Sequence, residues 1–177
     1  MGQGLGTLFG LVTAFAITFV VLMLGSIMPN DLIASTIVSD FLMTTELEVR
    51  LAIVGTILYP APALLGSTSL GSLVGYGAPG ATVLMWLAWG TAGLIAGLMT
   101  KEIFPGILSG VFSAIIGAFI TWLLFFMISE SFGTTGISAI FQQGSLLIMQ
   151  ASLEGVIYPA IACAIGGLLG GAITRDR

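Results

Sequence analysis

The chain alternates long uncharged apolar stretches with short clusters of charged residues. The apolar uncharged stretches cover residues 1–30, 51–100, 103–129 and 155–174; residues 131–153 also lack charge, but they are rich in Ser, Thr, Gly and Gln and we do not count them as a span. An α-helix rises about 1.5 Å per residue, so about 20 apolar residues cross a hydrocarbon layer of about 30 Å. The stretches of 30, 27 and 20 residues therefore each fit one crossing, and the stretch of 50 residues fits two crossings joined by a turn.

This pattern predicts an all-α protein, a transmembrane helix bundle of about five spans in a single membrane domain over residues 1–177. Helices are indicated because the apolar runs are continuous, whereas the strands of a membrane barrel alternate polar and apolar residues. The predicted spans are Thr7–Met28, Leu51–Val74, Thr82–Met99, Ile107–Ile128 and Gly155–Ile173.

Composition agrees with lipid as the main solvent of this chain. Hydrophobic residues make up 57% of the sequence and charged residues 7%, and the mean hydropathy is +1.15. A soluble domain would carry about 25% charged residues, because its surface must face water. No basic residue precedes the first apolar stretch, so we expect a retained span rather than a cleaved signal. Short loops fit a prokaryotic cytoplasmic membrane.

The basic residues predict an orientation. If the five spans alternate in direction, all four basic residues lie on one face, and these are Arg50, Lys101, Arg175 and Arg177. The positive-inside rule makes that face cytoplasmic. We therefore expect the N-terminus outside and the C-terminus in the cytoplasm.

An internal repeat is indicated when the chain is shifted by about 100 residues. The string Tyr-Pro-Ala-x-Ala occurs at residues 59–63 and again at 158–162. Identities also include Gly6 with Gly106, Gly10 with Gly110, and Phe19 with Phe119. We place repeat 1 at about 6–75 and repeat 2 at about 106–174, with the span 82–99 between them. One intervening crossing would invert the second copy, which predicts an inverted-topology repeat. The prediction fails if Leu51–Val74 enters and returns by the same face.

The connector within each copy has an apolar spacing of four residues. Ile33, Ile37 and Phe41 show this spacing in the first connector, and Ile137 and Phe141 in the second. The spacing suits an interfacial helix with one apolar face in lipid. A connector packed on the bundle fits it equally well.

The two Tyr-Pro pairs are the candidate substrate-binding residues. A proline inside a helix removes a backbone donor and frees the carbonyl four residues earlier. Interrupted helices at matching positions of two repeats point to a binding site in transporters. The predicted site comprises Tyr59, Pro60, Tyr158, Pro159 and the nearby carboxylate of Glu154. The alternative is structural: the prolines shape the bundle, each tyrosine bonds a neighbouring helix, and Glu154 is a solvated helix end.

Glycines spaced four residues apart predict close helix packing, because small residues let two backbones approach in lipid. The candidate packing residues are Gly93, Gly97, Gly106, Gly110, Gly166, Gly167, Gly170 and Gly171.

Several chemistries lack their usual residues. The chain has no histidine and one cysteine, so we expect no metal site of the usual kind, no cofactor and no enzymatic activity. No basic patch is present to bind nucleic acid. Two functions remain. One is a small transporter or channel-like protein for a neutral or weakly polar solute. The other is a non-catalytic structural or assembly subunit of a larger membrane complex, whose partners are other membrane subunits or further copies of itself.

Overall fold

The computed structural model describes residues 2–30, 32–33, 35–59, 81–128 and 145–175, with only the backbone given for residues 52, 56, 81, 125–128 and 145–154. The described residues form six α-helices and no strand, which confirms the predicted all-α class. The helices are α1 Gln3–Met23, α2 Ser35–Met43, α3 Leu47–Leu58, α4 Ala81–Thr100, α5 Ile103–Ile128 and α6 Ser145–Thr174.

Four of these helices are long and apolar enough to cross a membrane. The candidate spans are Gln3–Met23, Thr82–Thr100, Ile103–Leu124 and Gly155–Thr174. They correspond to the first, third, fourth and fifth predicted spans, which is consistent with a multi-pass membrane protein. The third predicted span, Thr82–Met99, differs from the observed Thr82–Thr100 by one residue at its end.

The directions of the long helices follow from contacts between their ends. The Ser109 hydroxyl donates to the Gln3 carbonyl over 3.2 Å, and the Ser113 hydroxyl donates to the Thr7 carbonyl over 2.8 Å. Helices α1 and α5 therefore run in the same direction. Helix α6 runs against them, since Gly171 lies beside Glu102 at the start of α5.

The start of α1 and the end of α6 consequently lie at one end of the bundle, together with the Lys101–Glu102 turn between α4 and α5. We call this the Lys101 end, and the opposite end, which carries α2, the α2 end. The predicted placement of the two termini on opposite faces is not confirmed by this arrangement. The inverted relationship between the proposed copies is not observed either, because α1 and α5 are parallel.

The predicted second span accounts for both differences. Helix α3 begins beside α2, and Tyr59 reaches the middle of the bundle, where its hydroxyl meets Ala114 of α5. Helix α4 then begins at the α2 end again, where Leu84 lies near Val21. One complete crossing would place the starts of α3 and α4 at opposite ends. Residues 60–74 of the predicted span lie outside the described residues.

Proline chemistry explains where α3 stops. A residue before proline is disfavoured in the helical region because the proline ring crowds it. Tyr59 precedes Pro60 and has φ −127° and ψ 58°, outside the helical range. The expected kinked helix is therefore a helix that ends.

The first connector packs on the bundle rather than lying in lipid. Ile33, Ile37 and Phe41 are all buried. The Phe41 ring meets the Phe19 ring of α1 edge to face, with centroids 5.1 Å apart. The apolar spacing of four thus marks the face that contacts protein. The second connector, with Ile137 and Phe141, lies outside the described residues.

Glycines line the contacts of α6 with α4 and α5. A Cβ atom at Gly166 would meet the Gly90 carbonyl oxygen, and one at Gly97 would meet the Gly167 carbonyl oxygen. On α5, a Cβ at Gly110 would lie 2.8 Å from the Cys163 carbonyl oxygen. The backbones therefore touch directly. In lipid no hydrophobic effect drives helices together, so these close dispersion contacts stabilise the bundle instead.

Gly166→Ala should destabilise the bundle by about 1–3 kcal/mol, because the added methyl group meets backbone that cannot rotate away. Gly90→Ala is the matched control on the opposing helix, since its Cβ would have nothing within 4 Å. SDS titration of the unfolding free energy in mixed micelles measures both. Equal losses for the two variants would contradict direct backbone contact at Gly166.

Candidate functional site

The structure describes the five predicted site residues to different extents. Tyr59, Tyr158 and Pro159 are described with their side chains, and Glu154 by its backbone alone. Pro60 lies outside the described residues. The two tyrosines are not joined by a hydrogen bond or ring contact in the part of the chain that is described. Tyr59 contacts both α4 and α5 through its side chain.

Tyr59 is buried in the middle of the bundle. Its side chain is 3% exposed, and its hydroxyl donates to the Ala114 carbonyl of α5 over 2.7 Å. Its ring lies 5.5 Å from the Trp89 ring of α4, tilted by 52°. The hydroxyl proton that was expected to contact a solute is thus bound to a neighbouring helix.

Trp89 holds the end of α3 in place. The indole is fully buried, and its Nε1–H donates to the Leu58 carbonyl over 2.9 Å. The last carbonyls of a helix have no partner within the helix. Because Leu58 ends α3 inside the bundle, the indole supplies a donor that water would supply at a surface.

Cys163 connects α6 to the same place. The thiol is fully buried, and its Sγ lies 3.2 Å from the Trp89 carbonyl oxygen, to which it donates. These contacts join α3, α4, α5 and α6. We call the residues that make them the Tyr59 cluster, which comprises Leu58, Tyr59, Trp89, Ala114 and Cys163. Sequence reasoning missed Trp89 and Cys163, since neither belongs to a motif and only their three-dimensional contacts identify them.

The second Tyr-Pro pair behaves differently from the first. Pro159 lies inside α6, and the helix continues on both sides of it. Pro159 is fully buried, and Tyr158 is half-buried against the core. The two Tyr-Pro pairs therefore do not form matching helix interruptions in the described residues.

Hydroxyl groups in the described interior are also bound to backbone. The Thr18 hydroxyl donates to Ala14 over 3.0 Å, and the Thr121 hydroxyl donates to Gly117 over 2.8 Å. Each of the five buried Ser and Thr side chains in this part of the chain donates to a carbonyl, as Thr18, Thr100, Ser109, Ser113 and Thr121 show. The protons of these hydroxyl groups are therefore bound to the protein's own backbone and do not donate to a polar solute.

A groove of about 440 Å³ lies on the outside of the bundle between α1, α3 and α5. Every side chain that lines it is apolar: Leu11, Val12, Phe15, Ala16, Phe19, Leu47, Leu51, Ile120 and Leu124. The groove does not reach the Tyr59 cluster. Its chemistry suits an apolar occupant.

Tyr59→Phe should lower the unfolding free energy by about 0.5–1.5 kcal/mol, because it removes one interhelical hydrogen bond without changing ring packing. Tyr158→Phe is the control, and we expect a smaller loss since its hydroxyl makes no bond within the described residues. SDS titration in mixed micelles compares the two. A larger loss for Tyr158→Phe would contradict the structural role of Tyr59.

Comparison with known proteins does not assign a role to this site. No protein-family model matches the chain, and no curated protein and no solved structure matches it.

Proposed function

We propose that this protein is a non-catalytic structural or assembly subunit of a larger membrane complex. The main observation behind this proposal is that the side-chain hydrogen-bond donors of the Tyr59 cluster are already occupied. The Tyr59 hydroxyl, the Trp89 indole and the Cys163 thiol all donate to backbone carbonyls. A site that binds a polar solute needs donors or acceptors directed at that solute, and these three are directed at the protein.

The packing of α6 gives further support. Gly93 of α4 and Gly110 of α5 both lie against the backbone of Cys163. Helices that touch backbone to backbone leave no room for a polar passage between them. The three helices form a solid unit, which suits a scaffold better than a carrier.

The outer face of α6 offers a surface for other subunits. Its exposed large apolar side chains recur along one side of the helix: Ile157, Ile161, Ile165, Leu168, Leu169 and Ile173. A stripe of this kind can pack against lipid or against another transmembrane helix. The proposal assigns it to a further membrane subunit, either a different chain or a second copy.

The proposed topology has four complete crossings, with α3 as a helix that enters halfway. Lys101 and Arg175 lie at the Lys101 end, whereas Arg50 lies at the α2 end among acidic residues. Two described basic residues against one make the Lys101 end cytoplasmic by the positive-inside rule. Both termini are then in the cytoplasm, and α2 lies outside.

A second candidate is a transporter or channel for a neutral or weakly polar solute. The observation that favours it is the end of α3 at mid-depth, directly before Pro60. Non-helical backbone at membrane depth is tolerated where it is buried in protein or lines a water-filled cavity. In this candidate, the Tyr59 cluster would open to expose its hydroxyl and carbonyls.

The assembly role is tested by gentle extraction of the tagged chain from its native membrane, followed by mass photometry and identification of bound proteins. We expect a complex well above the 18.3 kDa of one chain, with stoichiometric membrane subunits or further copies. Liposomes containing the purified chain should take up neutral solutes no faster than empty liposomes. A monomer that accelerates such uptake, and is slowed by Tyr59→Phe, would establish the transporter instead.

The topology is tested by labelling single introduced cysteines in sealed cells with a membrane-impermeant maleimide. Glu48→Cys should be labelled from outside, and Lys101→Cys only after the cells are opened. Cys163 is fully buried, so the unsubstituted chain serves as the unlabelled control. Labelling of both introduced cysteines from outside would contradict the topology.

A further inference from the structure

We propose that the groove between α1, α3 and α5 is a binding site for a single zwitterionic phospholipid, with one acyl chain in the groove and the phosphate on Arg50. The proposal is independent of the assembly role, because a bound lipid is compatible with either candidate function. The proposal is based on the length of the groove, its wholly apolar lining and the charged residues beside it.

The groove has the length of one leaflet. Its lining on α1 runs from Leu11 to Phe19, which is about 12 Å at 1.5 Å per residue. Half of a hydrocarbon layer is about 15 Å deep. The groove therefore extends from the middle of the bilayer to the headgroup level at the α2 end, as an acyl chain does.

The groove closes toward the Lys101 end. There, hydrogen bonds from Ser113 to Thr7 and from Ser109 to Gln3 join α5 to α1. A transmembrane helix or a second copy would need a contact surface over about 30 Å of bilayer. The groove is too short to hold a transmembrane helix, and its length matches that of an acyl chain.

Arg50 lies beside the groove at its α2 end. It directly precedes Leu51, which lines the groove, and its guanidinium lies over the Phe41 ring, which in turn meets the ring of the groove residue Phe19. Its Nε and Nη2 donate to the Thr44 carbonyl over 3.0 and 2.8 Å, and its guanidinium lies 5.5 Å from the centroid of the Phe41 ring. These contacts hold a half-buried cation at headgroup level.

A guanidinium carries five N–H groups and binds phosphate oxygens in a geometry that lysine cannot reproduce. Two of these groups are directed at Thr44. The planar fork is thereby fixed in position, so binding a phosphate would cost little further side-chain entropy.

The charges around Arg50 select the headgroup. Glu46 and Glu48 are exposed and flank Leu47, which lines the groove. Two carboxylates near one cation would repel a lipid with net negative charge. A headgroup that carries an ammonium group beside its phosphate matches both signs, with the phosphate on Arg50 and the ammonium toward the carboxylates.

Native mass spectrometry of the full chain released from micelles tests this site, with phosphatidylethanolamine and phosphatidylglycerol supplied at equal concentration. We expect one phosphatidylethanolamine to be retained per chain, in preference to phosphatidylglycerol. Arg50→Gln should weaken retention about tenfold, the loss expected for one charge-assisted contact. Ala16→Phe should abolish it by filling the groove from an exposed position.

Ala172→Phe is the matched control, because Ala172 is an exposed alanine on α6, away from the groove. It should retain lipid as the unsubstituted chain does, which also shows that an added surface phenyl ring is tolerated. Retention by Ala16→Phe equal to that of Ala172→Phe would overturn the site. Preferential retention of phosphatidylglycerol would overturn the assignment of the headgroup.

Discussion

The end of α3 inside the bundle sets the arrangement of the rest of the structure. A helix that stops in the interior leaves carbonyls without intrahelical donors, and lipid offers none. The Trp89 indole meets this need at Leu58, and the Tyr59 hydroxyl adds a bond to Ala114 one residue later. The middle sections of α4 and α5 must therefore lie against the end of α3.

Close packing of small residues makes that presentation possible. Gly93 and Gly110 let the backbone of α6 approach α4 and α5 at Cys163, and from there the thiol reaches the Trp89 carbonyl. The position of Trp89 thus depends on helix contacts on two sides. The hydrogen bonds of the Tyr59 cluster and the glycine contacts therefore belong to one core, which holds the end of α3.

The functional proposals follow from the contrast between this closed interior and the outer surface. Inside, the donors of the described side chains are directed at the protein's own backbone. Outside, α6 presents an apolar stripe, and α1, α3 and α5 form an apolar groove with Glu46, Glu48 and Arg50 beside its lining residues Leu47 and Leu51. Recognition of other subunits or of lipid by these outer surfaces needs no opening of the core.

The sequence by itself determined four of the segments that can cross a membrane, because charge-free length and apolar character are local properties. The span at Thr82–Thr100 was predictable in this way, and so was the apolar face of α2 at Ile37 and Phe41, but whether lipid or protein covers that face was left open. It did not determine that Tyr59-Pro60 ends a helix whereas Tyr158-Pro159 lies inside one, since the same dipeptide had different neighbours. Only the tertiary structure decided that, and with it the parallel course of α1 and α5, because a helix end can remain inside a membrane protein only where another helix supplies its donors.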